Sequence, residues 1–186
     1  MTIPPLGPLA SLTLRKPAEA ARQILALNPG REVLWLAFFL AVVLNCIAQM
    51  GIDMSIAASG GPTVSQSIPI VLIRSAGTML FSILALLYVG RFLGGTGRFE
   101  DLMILTIWLQ FLQIAALVAT LALSLIAVAF MAPLILATAI YSLYITLHFL
   151  NEAHKFGSLG KSFGVILLTA LLAVPFVLFL NPLGPV

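Results

Sequence analysis

The sequence predicts an all-α fold: a polytopic membrane helix bundle with five transmembrane helices, the N-terminus inside and the C-terminus outside. Three observations lead there. Of 186 residues, 61% are hydrophobic and only 8% are charged, whereas a soluble domain is roughly half apolar and about a quarter charged. So few charges cannot coat a water-facing surface, and the solvent is therefore lipid. The apolar residues also fall in runs long enough to cross the hydrocarbon core, which takes about 20 helical residues. Finally, the basic residues segregate to one side once five crossings are drawn. Five spans and short loops consume nearly the whole chain and leave no room for a sizeable soluble domain.

Residues 1–16 read as irregular, broken by Pro4, Pro5 and Pro8. No basic residue precedes the apolar stretch, so it does not resemble a secretory signal. Pro17 suits the first turn of a helix, and Ala18 to Leu27 is rich in helix formers. Asn28, Pro29 and Gly30 stop it. Ala20, Ala21, Ile24, Leu25 and Leu27 gather on one broad side, with Glu19, Arg22 and Gln23 towards the other. That pattern predicts a short helix lying in the headgroup layer. Residues 1–31 thus form a cytoplasmic N-terminal segment, and residues 32–186 the five-helix transmembrane domain.

The first span runs from about Val33 to Ile52 and is closed by Asp53. A loop from Ser55 to Ser67 follows, with Gly60, Gly61 and Pro62. The second span, Ile70 to Phe92, ends at Arg91 and the cluster Gly94, Gly95 and Gly97. From Leu102 to Leu150 there is no Asp, Glu, Lys or Arg. As one helix this run would be about 70 Å long, more than twice the ~30 Å hydrocarbon core. It must cross twice, with the turn between Leu121 and Pro133. The fifth span covers Phe163 to Leu180, with Pro175 inside it and Asn181, Pro182 and Gly184 after it.

Orientation follows from the cations. Arg15, Lys16, Arg22 and Arg31 precede the first span, Arg91 and Arg98 flank the second loop, and Lys155 and Lys161 the fourth. Eight of the nine basic residues therefore share a side, and only Arg74 falls on the other. The positive-inside rule places the eight in the cytoplasm; a four-span topology would spoil the agreement. The net charge of +3 and isoelectric point near 9.4 arise from these scattered cations. They form no phosphate-binding patch, so nucleic acid is not expected as a partner. The single Cys46 lies in an apolar run and reads as a small packing residue.

The most distinctive stretch is Gly94-Gly95-Thr96-Gly97-Arg98-Phe99-Glu100. Glycine backbone N–H groups can cradle phosphate, but a phosphate loop ends in Lys-Ser/Thr. A tight cytoplasmic turn is the better reading, with a lipid phosphate held by Arg91 or Arg98 as the alternative. Asp53 and Arg74 close the first span and open the second on the same side, which predicts an ion pair between them. Asn45 and Gln49, four apart, share a face of the first helix; Gln110 and Gln113, three apart, share one of the third. Such amides bond neighbouring helices or line a path. No Asp, Glu or Lys lies deep in a span, which argues against an ion-coupled carrier. His148 and His154 flank Asn151 and Glu152 without zinc-site spacing, so neither a metal nor any other cofactor is expected. No nucleophile elbow or other catalytic pattern is present.

Several of these stretches together resemble the Yip, or Ypt/Rab-interacting protein, family, specifically its short bacterial members. They are Leu14-Arg15-Lys16-Pro17 with the Ala-rich helix after it and Arg31-Glu32-Val33-Leu34-Trp35 opening the first span. The glycine loop leading into the helix of Trp108 and Asn151-Glu152-Ala153-His154-Lys155-Phe156 before the last helix complete the set. The resemblance implies five spans and a cytoplasmic N-terminus in a bacterial inner membrane. It implies a non-enzymatic protein that organises lipids or other membrane proteins, or self-associates, through its cytoplasmic face. That face would use Arg91, Gly94, Gly95, Gly97, Arg98, His154 and Lys155. Eukaryotic members are linked to Rab-type GTPases through a long hydrophilic N-terminal region and an Asp-Leu-Tyr-Gly-Pro segment. This sequence has neither, so a GTPase partner is not carried over. The competing expectation is a small transporter or channel lined by Asn45, Gln49, Gln110 and Gln113.

Overall fold

A computed structural model describes residues 6–58, 60, 67–124 and 131–180, in which every regular element is an α-helix. In chain order they are α1 (Leu6–Arg15), α2 (Pro17–Ala26), α3 (Arg31–Ala58), α4 (Ile68–Phe92), α5 (Phe99–Ser124), α6 (Met131–His154) and α7 (Leu159–Leu180). Segments within α3, α4, α5 and α6 are long and apolar enough to cross a membrane, and α7 adds a shorter apolar stretch, Leu159–Pro175. Between 17% and 28% of each of the four long segments is buried within the bundle. A soluble helix of that apolarity would be covered by protein; here Leu36, Ile73 and Phe92 face outwards, each more than 70% exposed. Lipid is the solvent that satisfies such a surface. The expected turn between Leu121 and Pro133 falls in the stretch between α5 and α6, where residues 125–130 lie outside the described residues.

The first helix departs from expectation. Residues 6–15 are helical rather than irregular. Pro8 sits in the first turn of α1, where its missing N–H has no intrahelical partner to lose. Only Lys16 separates α1 from α2, and the hydrogen-bond ladder runs through the break: Lys16 N–H donates to the Leu12 carbonyl and Ala20 N–H to that of Lys16. Ala20, Ala21 and Ile24 are buried on α2. The side predicted to meet the headgroup layer meets α5 and α6 instead.

Contacts bring one end of each of α3 to α7 together. The first turns of α3 and α5 meet through Arg31–Glu100 and through Trp35 against Phe99. The last residue of α6, His154, stands against Gly90 near the end of α4, and Gly164 of α7 lies beside Leu93. We call this the loop end, because the α4–α5 and α6–α7 connections lie there. The core is concentrated in the same half. Phe38, Ile83, Met103, Phe149 and Val165 are all within 2% of complete burial, and each lies in the part of its helix nearest the loop end. α1 and α2 cover this half from the side: Trp108 Nε1–H donates to Thr13 Oγ1 at 3.0 Å, and the Tyr141 hydroxyl donates to the Leu14 carbonyl.

Candidate functional site

Two polar assemblies stand out. The first is built around His154 at the loop end. Its imidazole is 1% exposed and fills a niche whose walls are three glycines. A Cβ on Gly90 would lie 2.2 Å from Nε2, one on Gly95 2.5 Å from Nδ1, and one on Gly97 2.7 Å from Cε1. The glycines are there because the ring is. Gly97 N–H donates to Nδ1 at 3.2 Å, and Nε2 faces the Leu86 carbonyl at 3.2 Å. A ring that accepts at Nδ1 and donates from Nε2 is the neutral Nε2–H tautomer. Phe156 stacks on it with centroids 5.0 Å apart.

The rest of the loop is equally committed. Gly94 N–H donates to the Arg91 carbonyl, Gly95 N–H to that of Gly90 and Thr96 N–H to that of His154. Gly94 takes φ +86°, a left-handed turn open to glycine. Arg91 clamps the far side, its Nε and Nη2 both donating to the Gly97 carbonyl at 3.2 and 3.1 Å. With these N–H groups bonded within the protein, the loop cannot cradle a phosphate by its backbone. The glycines make room for a histidine and turn the chain.

Cations surround this unit. Arg98 pairs with Glu100 at 4.0 Å, Arg31 with the same carboxylate at 3.2 Å, and Arg22 with Glu152 at 3.2 Å. Lys155, with φ 56°, is the left-handed residue that ends α6. Phe156 N–H returns to the Asn151 carbonyl, and Ser158 N–H to its side-chain Oδ1. The motif Asn151 to Phe156 is thus a helix stop that also delivers His154. His148 lies apart, edge-on to Tyr144 at 4.6 Å. Among the described residues no group of three or more His, Cys, Asp or Glu stands close enough to hold a metal ion.

The second assembly is a cavity of about 360 Å³ between α3, α4 and α5, lined by Asn45, Gln49, Arg74, Ser75, Thr78, Ser82, Thr106 and Gln110 with Val71 and Met79. Three of the four intramembrane amides therefore meet. Gln113 does not join them; its Nε2 donates to Ser142 Oγ on α6 at 3.2 Å. Ser75 Oγ donates to Asn45 Oδ1 at 3.1 Å, tying α4 to α3. Thr78 and Ser82 donate to carbonyls one turn back, those of Arg74 and Thr78. Asp53 is exposed near the end of α3. Arg74 shares the cavity wall with the amides. Reading residues by span missed the four hydroxyls and Thr13; a helical projection of α4, on which Arg74, Thr78 and Ser82 recur every four residues, is the signal that finds Thr78 and Ser82.

No curated protein and no solved structure matches the chain. A family model does: the Yip1 domain, over residues 12–180. The match begins inside α1, ends at the last residue of α7 and takes in the glycine loop, the histidine and the cavity. The chain, an integral membrane protein by its helices, belongs to the Yip1 domain family.

Proposed function

We propose that this is a non-enzymatic, five-span protein of a bacterial inner membrane, N-terminus inside and C-terminus outside, which organises lipids or membrane partners through its cytoplasmic face. One observation carries the reading: eight of the nine cations are exposed, and Arg22, Arg31, Arg91, Arg98, Lys155 and Lys161 among them lie at the loop end, on a scaffold held by His154 and the docked α1–α2 pair. Arg15, Lys16, Arg22, Arg31, Arg91, Arg98, Lys155 and Lys161 make up the set. Cations near a cytoplasmic leaflet attract anionic lipid by about 1 kcal/mol each. The 22 residues of α7 support a fifth crossing, since about 20 suffice. The transporter reading draws on the cavity, but buried Leu34, Leu87 and Leu102 lie between it and the loop end, which supports a binding role over a pore.

Single cysteines in a Cys46→Ala background test the topology. Ser158→Cys is expected to react with an impermeant maleimide only after permeabilisation, and Ser67→Cys in intact cells; the reverse pattern overturns the orientation. Nanodiscs test the role. Changing Arg15, Arg22, Lys155 and Lys161 together to Gln should abolish any preference for phosphatidylglycerol over phosphatidylcholine at the protein boundary. An unchanged preference refutes the basic face as the organising surface.

A further inference from the structure

We infer that α1 is a membrane-surface helix, seated at the boundary between lipid headgroups and acyl chains beside α5 and α6. Its residues fall into three rows, since helical positions four apart lie above one another. Leu9 and Thr13 are buried against the bundle. Leu6, Ala10 and Leu14 form an apolar row, with Leu6 64% and Leu14 49% exposed. Gly7, Ser11 and Arg15 form an exposed row with no apolar side chain. One row is covered by protein, one is apolar and uncovered, and one is polar and uncovered. A helix lying in the interface suits all three. The headgroup position that the sequence suggested for α2 passes to α1, because α2 spends its apolar side on α5 and α6.

The neighbouring helices mark the same level. Trp108 and Tyr141 hold α1 through Thr13 and the Leu14 carbonyl, and they lie roughly 14 and 20 Å along α5 and α6 from the loop end. Beyond this level α6 exposes the apolar Ile135, Leu136 and Ile140. Tyr141 and Tyr144 come next, also exposed, and Trp and Tyr gather where hydrocarbon meets water. From Ile145 to His154 no residue of α6 is exposed, and α2 on this flank turns Glu19, Arg22 and Gln23 outwards. Lipid therefore stops near α1 here. Arg15 and Lys16 stand at headgroup level, where anionic lipid attracts them. On α3, α4 and α7, exposed Leu36, Phe92 and Phe163 carry the apolar surface almost to the loop end. The boundary accordingly crosses the bundle obliquely, and α1 lies along the side where it is farther from the loop end. This placement deepens the lipid-facing role proposed above and rests on it only in that the bundle spans a membrane.

The experiment uses the full chain in nanodiscs of phosphatidylethanolamine and phosphatidylglycerol, with single nitroxide-labelled cysteines in a Cys46→Ala background. Collision with oxygen reports lipid, and collision with a nickel chelate reports water. Labels at Leu6→Cys and Leu14→Cys are expected to favour oxygen severalfold. Those at Ser11→Cys and Arg15→Cys should favour the chelate, as should Gln23→Cys on α2. Chelate preference at all four α1 positions would place α1 in water, and oxygen preference at all four would place it among the acyl chains. Either result overturns the inference, and so does any pattern that fails to separate the two rows. Proteolysis gives a check free of labels. Leu6→Asp should lift α1 and speed tryptic cleavage after Arg15 severalfold, while Ser11→Asp leaves the rate unchanged; equal rates in the two variants overturn the placement. The phosphatidylglycerol preference tested above is a separate outcome. It can be absent while the label pattern holds, and present while the pattern fails.

Discussion

At the scale of single residues, the glycine loop is explained by one buried imidazole. A Cβ added at Gly90 would sit 2.2 Å from Nε2 and 2.3 Å from Cε1 of His154, with no room for either partner to retreat inside the packed end. Gly90→Ala should therefore destabilise the protein by about 1–3 kcal/mol, although alanine is favoured over glycine in a helix by about 1 kcal/mol. His154→Ala should cost about 2–4 kcal/mol, because it opens a void and leaves the Gly97 N–H and the Leu86 carbonyl without their partner. The informative measurement is the double-mutant cycle. Without the ring the added methyl has space, so Gly90→Ala should become neutral or stabilising in the His154→Ala background. Additive costs in detergent unfolding would show that the glycine does not owe its presence to the histidine. The sequence displayed both halves of this unit, 90–97 and 151–156, but nothing in one segment said that it packs on the other. The resemblance placed His154 on the cytoplasmic face, whereas the structure buries its ring to 1% exposure.

At the scale of elements, α3 to α7 were legible because apolar runs and glycine or charged stops are local signals. α3 and α4 extend the expected spans by a few residues, and α5 and α6 divide the charge-free run where length demanded. α1 was not legible. Three prolines outweighed its apolar side, and what holds it is tertiary: buried Leu9 and Thr13, and the Trp108 hydrogen bond. The same reason separates Gln110 from Gln113. Residues three apart on a helix differ by about 60° in direction, and α5 has α3 and α4 on one side and α6 on the other. That angle suffices to send one amide to the cavity and the other to Ser142. Docking of the N-terminal pair can be tested at Ala21, which is fully buried. Ala21→Leu should overpack the α2 contact with α5 and α6 by about 1–3 kcal/mol. Limited proteolysis with trypsin should then cut after Arg15 or Arg22 at least several times faster than in wild type, while Gln23→Leu, on the exposed side, leaves the rate alone. Equal rates in all three would mean that α2 is not held by that face.

At the scale of the whole molecule, the bundle is packed unevenly, and this asymmetry connects the two polar assemblies. Near the loop end, large side chains interlock around His154; away from it, the helices carry polar residues at their contacts and line an open hollow. Lipid is as apolar as leucine, so burying a side chain here gains little by transfer and stabilises mainly through close packing. Stability should therefore map onto packing rather than onto hydrophobicity. Phe149→Ala, at 1% exposure in the tight half, should cost on the order of 2–3 kcal/mol, mostly from the void it leaves. Leu136→Ala removes a comparable apolar group from the same helix where it is 62% exposed, and should cost less than about 0.5 kcal/mol. Hydrogen exchange in nanodiscs gives the companion readout, with slow backbone exchange around 83–90, 102–107 and 149–154 in wild type. Phe149→Ala should speed exchange throughout the loop-end half, because the five helices share that core, and Leu136→Ala should leave it unchanged. Similar losses from the two substitutions would mean that stability is spread evenly along the helices, and that the loop-end face lacks the rigid base on which its proposed role depends.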